Sequence, residues 1–204
     1  MQLKKINYCL PFIDENVIKE VNSCLTETGW LTSGPKVVEF ENEIKKLNQS
    51  KAVLCVNSWT SGAILMLKWF NIGYGDEVII PSYTYSATAL CVISVGAKPV
   101  MVDVKDDFTI DPLKIRKSIN SKTKAIIPVD IGGLPCDYKL INSIVNEKKI
   151  INKFICNGAK QEKLGRVLVI GDAAHSIGAK YNKQPIGKAT DISIFSFHSV
   201  KNIT

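Results

Sequence analysis

Apolar residues first recur at three- and four-residue steps. Val17, Ile18, Val21 and Leu25 follow Asp14, whose carboxylate can accept a first-turn amide, so a helix is predicted from Asp14 to about Gly29. The turn Thr32-Ser33-Gly34-Pro35 leads to a second amphipathic helix carrying Val37, Val38, Phe40, Ile44 and Leu47. From there short apolar runs alternate with helical patterns. Ala52 to Val56 reads as a buried strand and Ser58 to Phe70 as a helix; Glu77 to Ile80, stopped by Pro81, is a strand, followed by a helix from about Thr84 to Val95. Pro99 to Val104 and Ala125 to Val129 read as strands, with helices from Asp111 to Ile119 and from Tyr138 to Asn146. Asn152 to Gly165 is polar and lysine-rich, which predicts a surface insertion. Val167 to Ile170 and Ile192 to Phe195 are the last predicted strands. This alternation predicts an α/β fold with a mainly parallel sheet covered on both faces.

The last two strands each run into chemistry. Asp172-Ala173-Ala174-His175 follows the first, and Ser196-Phe197-His198-Ser199-Val200-Lys201 the second; both histidines of the chain lie in these blocks. Ligands of α/β proteins bind at strand ends, and this residue set suits pyridoxal phosphate (PLP). Lys201 could bond the cofactor covalently, Asp172 could pair with its pyridine nitrogen, and Ser196 could hold its phosphate. A dinucleotide fold would carry GxGxxG after its first strand; the chain has Val56-Asn57-Ser58-Trp59-Thr60-Ser61-Gly62 instead, and GxxxxGK[ST] is also absent. That turn either binds a phosphate through amides and hydroxyls or simply caps its helix.

Composition narrows the class. At 204 residues and 46% hydrophobic content the chain can bury a substantial core. The net charge of +7 comes from scattered lysines, including Lys4, Lys5, Lys45, Lys46, Lys148 and Lys149. Without a dense basic run this predicts a solvated surface compatible with an anionic substrate, and no nucleic-acid binding. The six cysteines (Cys9, Cys24, Cys55, Cys91, Cys136, Cys156) show no CxxC, so they read as buried free thiols, with neither disulfides nor a metal site expected. The first residues lack the apolar core of a signal peptide, and no apolar run is long enough to span a bilayer; a cytoplasmic protein without membrane association is expected.

Read in order, the Ser58-Thr60-Ser61 turn, Pro81-Ser82-Tyr83-Thr84-Tyr85-Ser86-Ala87-Thr88, Asp172-x-x-His175 and Ser196-x-His198-x-x-Lys201 resemble the DegT/DnrJ/StrS family of PLP-dependent nucleotide-sugar aminotransferases. Gly29-Trp30-Leu31-Thr32-Ser33-Gly34-Pro35, Gly75-Asp76-Glu77-Val78-Ile79 and Gly96-Ala97-Lys98-Pro99-Val100 are similar to it as well, so the resemblance covers the chain from about residue 7. It implies the three-layer αβα large domain of fold-type-I transferases, with a mainly parallel mixed sheet. It divides the chain into an N-terminal helix and substrate-side segment (1–34) and an incomplete PLP-binding domain (35–204), without the small C-terminal domain.

By matching position, the resemblance makes Lys201 the Schiff-base lysine, which shuttles the substrate proton. Asp172 becomes the partner of the pyridine nitrogen, and Ser196 with Thr60 and Ser61 become the phosphate ligands. Tyr85 either stacks on the cofactor ring or packs in the core. His175 either lies beside the ring's 3-oxygen or supports Asp172, and His198 either orients the lysine loop or packs. Two segments depart from the family pattern. Trp59 stands where many relatives have a small residue, and either crowds the turn or packs beneath it. Asp130 and Gly132 stand where many have histidine and tyrosine. The implied reaction moves an amino group from glutamate to a nucleotide-linked keto-sugar, for surface polysaccharide, lipopolysaccharide or another glycan, in a homodimer. A related dehydratase would replace the lysine, which Lys201 speaks against. Because family members continue well beyond the lysine, an alternative is an inactive or binding-only fragment, and the 204-residue chain alone is expected to transfer little or nothing.

Overall fold

A computed structural model describes residues 10–203. Cys9, Lys4, Lys5, the start of the resemblance and most of the N-terminal stretch weighed as a leader lie outside the described residues, as does Thr204. The chain forms two compact units: the segment up to Cys55 together with that from Phe197 onward, and Val56–Ser196.

The larger unit is built on five parallel strands: β1 (Glu77–Pro81), β2 (Lys98–Val102), β3 (Thr123–Ile126), β4 (Leu168–Asp172) and, after a two-residue antiparallel ladder of β5 (Lys180–Tyr181) and β6 (Gln184–Pro185), β7 (Ile192–Ile194). Their spatial order is β2-β1-β3-β4-β7. Alternate residues of each strand enter opposite cores. Val78, Ile80, Ala125, Ile127, Leu168 and Ile170 pack with Leu67 and Phe70 of one layer and with Cys91 and Val92. Ile79, Ile126, Val167 and Val169 pack with Ile115, Ile141, Ile144 and Ile150. The first layer is α3 (Trp59–Trp69) and α4 (Ser86–Ser94); the second is α5 (Pro112–Ser118), α6 (Tyr138–Val145) and α7 (Lys148–Ile151). This is the three-layer αβα architecture with a mainly parallel sheet; the antiparallel ladder stands apart from that sheet.

One sequence expectation is corrected and another is refined. Ala52–Val56 forms no strand: Leu54 and Val56 are exposed, and among the described residues no neighbour pairs with the segment. Its Cys55 amide donates instead to Glu41 Oε1 at 2.7 Å. A strand needs a partner ladder, and apolar composition cannot supply one. Asn152–Gly165 is largely exposed, as expected of a surface insertion, but it is anchored. It contains α8 (Ala159–Leu164), whose fully buried Gln161 donates to the Phe70 carbonyl at 2.8 Å and accepts the Asn157 amide at 2.9 Å. Asn157 Nδ2 in turn donates to Asp76 Oδ1 at 2.8 Å. Gln161→Ala therefore leaves buried polar groups unpaired and is expected to lower unfolding free energy by about 1–3 kcal/mol in a denaturant titration.

The thiol expectation also divides. Of the described cysteines, Cys91 and Cys136 are buried, Cys24 and Cys55 are half-buried and Cys156 is exposed; none is in a disulfide.

In the smaller unit, α1 (Glu15–Ser23) starts at Asp14, which accepts the Val17 amide at 2.9 Å, and runs through a π-helical turn (Cys24–Thr28) to Gly29. Val17, Ile18, Val21 and Leu25 stay exposed. Pro35, without an amide to lose, opens α2 (Pro35–Asn48). Phe197 packs edge-on against Phe40 with centroids 4.9 Å apart.

Candidate active site

Within the larger unit the chain leaves β1 toward β2 on one side, then returns to place β3 on the other. Such a reversal opens a crevice at the carboxyl ends of the strands, where α/β proteins bind ligands. Tyr85 follows β1 at this edge, Asp130 follows β3, Asp172 ends β4 and Ser196 lies just past β7. Asp172 sits level with Ile194 in the β4–β7 register, and the Ala173 amide donates to the Ile194 carbonyl at 2.9 Å.

Asp172 is 5% exposed. Its Oδ2 accepts from Thr88 Oγ1 at 3.2 Å and its Oδ1 from the Ala174 amide at 3.2 Å. Thr88 is itself buried and shares a 2.8 Å hydrogen bond with Thr84. Donors on both oxygens hold the carboxylate in place. Beside it, burial and then the Asp172 charge push the Cys91 thiol up to about 12, so Cys91 stays protonated and inert at neutral pH.

At the start of α3, Ser58 caps the helix by accepting the Ser61 amide at 3.1 Å, and its hydroxyl donates to Ser61 Oγ at 3.0 Å. The amides of Trp59 and Thr60 have no acceptor within the helix, so this end offers amide donors beside the Thr60 and Ser61 hydroxyls, the kind of donors an anion takes. The cap and phosphate readings of this turn are thus compatible. Gly62 brings α3 against the sheet: a Cβ there would stand 3.2 Å from Ile194 Cγ2 and 3.3 Å from Val56 Cγ2. Trp59 packs beneath the turn in the core, its indole nitrogen buried without a protein partner.

Tyr85 is the residue before α4 and is 78% exposed, which rules out the core-packed alternative and leaves a ring face open. His175 Nδ1 accepts the Gly132 amide at 3.2 Å, so in the neutral ring the proton sits on Nε2. Ser196 is half-buried. Lys201 and His198 belong to the smaller unit; both are half-buried or exposed there, and the Lys201 amide donates to the His198 carbonyl at 2.8 Å. Sequence reasoning gave Thr88 no role although it lies inside the quoted Pro81–Thr88 run, and saw Asp130 only as a departure. Both act through contacts with residues far along the chain.

The DegT/DnrJ/EryC1/StrS aminotransferase family matches residues 11–155 and 158–204. The chain belongs to that family. SpsC, the spore coat polysaccharide biosynthesis protein of Bacillus subtilis, is 36% identical over 96% of this chain and 46% of its own length. The UDP-4-amino-4-deoxy-L-arabinose–oxoglutarate aminotransferase of Shewanella sediminis is 38% identical over 96% of this chain and 46% of its own. The PLP form of Spr1654 from Streptococcus pneumoniae superposes with a TM-score of 0.94 at 39% identity, covering 98% of this chain and 51% of that one. The chain thus spans about half the length of these relatives. Pyridoxal 5'-phosphate is the cofactor of this DegT/DnrJ/EryC1/StrS family, and Spr1654 has also been solved in the pyridoxamine form.

The DegT/DnrJ/EryC1/StrS residues present fit that cofactor on this structure's own terms. A fixed carboxylate, a helix end with amides and hydroxyls, and an open aromatic face share one edge of the sheet. Among the described residues no cluster of His, Cys, Asp and Glu could hold a metal ion, and no helix is long and apolar enough to cross a membrane.

Proposed function

We propose that this chain supplies the cofactor-holding part of a PLP-dependent aminotransferase that moves an amino group from glutamate to a nucleotide-linked keto-sugar, in surface-polysaccharide or related glycan biosynthesis. The observation that carries the reading is Asp172, almost completely buried at a strand end with a donor on each oxygen. A carboxylate so placed keeps a proton on the pyridine nitrogen. The α3 amides, with Thr60, Ser61 and Ser196, bind the phosphate dianion, and the Tyr85 face restrains the ring plane. Lys201 is the amine that the family motif assigns, and its Nζ carries the proton to and from the substrate carbon. When bound, the cofactor supplies the electron sink for this exchange. The names of the relatives support a sugar as acceptor. A homodimer in the cytoplasm completes the reading.

The test is optical. Full-length protein given PLP is expected to gain a visible absorption band, lose it on addition of glutamate and regain it with a nucleotide keto-sugar. Protein that takes up no PLP refutes the reading. Uptake without any response to amino donors favours a binding-only relative.

A further inference from the structure

A buried polar cluster lies directly behind the turn that carries Asp172 and His175, and none of the roles above uses it. Asp130 is fully buried, at 0% exposure. Its Oδ1 accepts the Cys136 amide at 3.0 Å and the Tyr138 hydroxyl at 2.7 Å, and its Oδ2 accepts the Ser176 hydroxyl at 2.8 Å. The main chain of the same residue donates to the Asp172 carbonyl at 3.0 Å, next to a parallel bridge between Val129 and Asp172. Asp130 therefore grips the 172–176 turn at both ends, by its peptide at Asp172 and by its carboxyl at Ser176.

The residues after Asp130 line the same turn. The Gly132 amide donates to His175 Nδ1 at 3.2 Å. A Cβ on Gly133 would come within 2.9 Å of the His175 carbonyl oxygen, at a φ of +84°. Residues 130–133 thus lie flush against the turn, and only a residue without a side chain fits at position 133.

Burying a carboxyl is costly unless donors surround it. An apolar residue would fill the space with less penalty but could hold neither Ser176 nor the 136–138 segment. We propose that Asp130 is a positioning residue, which sets where Asp172 and His175 stand and so how tightly the cofactor is held. The inference rests on the aminotransferase reading. A short side chain with two acceptor oxygens suits the three converging donors.

The test titrates PLP into apo full-length protein and follows thermal melting of the apo form in parallel. Ser176→Ala, which removes a single oxygen atom, is expected to weaken PLP binding about tenfold through loss of one charge-assisted hydrogen bond. Asp130→Ala weakens it at least as much. Asp130→Asn restores binding to within about threefold, because the amide oxygen still accepts Cys136 and Tyr138 while its NH2 donates to Ser176. Gln161→Ala, in the distant α8 staple, lowers the melting temperature but leaves PLP affinity unchanged. If Ser176→Ala and Asp130→Ala bind PLP as the parent does, or if Asp130→Asn is as damaged as Asp130→Ala, the positioning role is overturned. A parent protein that binds no PLP overturns the aminotransferase reading, and this inference with it; normal binding in the parent and in every variant overturns the inference alone.

Discussion

Lys201→Ala is expected to abolish amino transfer while leaving the fold intact. The Lys201 amide donates to the His198 carbonyl at 2.8 Å, a main-chain bond that truncating the side chain leaves in place. The substitution removes the amine that binds the cofactor covalently and moves the substrate proton. Loss of the proton transfer alone costs about 10²–10⁴-fold in kcat, and loss of the covalent step adds to it. Lys201→Arg is not expected to rescue, because a guanidinium stays protonated and cannot act as a base. Turnover with glutamate and a nucleotide keto-sugar, beside a circular dichroism spectrum, checks this; substantial activity in Lys201→Ala would refute the lysine's role.

Asp172→Asn is the second large effect. Asparagine can keep the shape of the site, accepting from either Thr88 or the Ala174 amide, but it carries no negative charge to hold a proton on the pyridine nitrogen. Removing one preorganised electrostatic partner of this kind costs about 10²–10³-fold in kcat. Asp172→Ala adds a fully buried Thr88 hydroxyl deprived of its carboxylate acceptor, so stability and cofactor affinity also fall. The pair of variants separates charge from packing. Near-parental kcat in Asp172→Asn would show that the carboxylate is not the ring's partner.

The elements legible in the sequence were those whose signals are local. Asp14 capping α1, Pro35 opening α2, and the apolar runs of β1, β3 and β4 each carry their cause within a few residues. Ala52–Val56 misled because an apolar run becomes a strand only with a neighbour to bond. Residues 152–165 are mostly exposed, as a polar run suggests, but their anchoring was hidden: Gln161 is buried against the Phe70 carbonyl and Asn157 bonds Asp76, both partners far away in sequence. The same limit hid part of the site. Asp172, His175, Ser196 and Lys201 stood out as titratable or hydroxyl residues in short motifs, whereas Thr88 and Asp130 gain meaning only from the carboxylate and the turn they touch. The exposure of Tyr85, which decides between its two sequence readings, likewise depends on the fold around it.

The most direct measurement of the central claim is chemical. Full-length protein is incubated with PLP, reduced with borohydride, digested and mapped by mass spectrometry. The account predicts a single cofactor-bearing peptide modified at Lys201, and no such peptide in the Lys201→Ala protein. Modification at another lysine, or none at all, would contradict it.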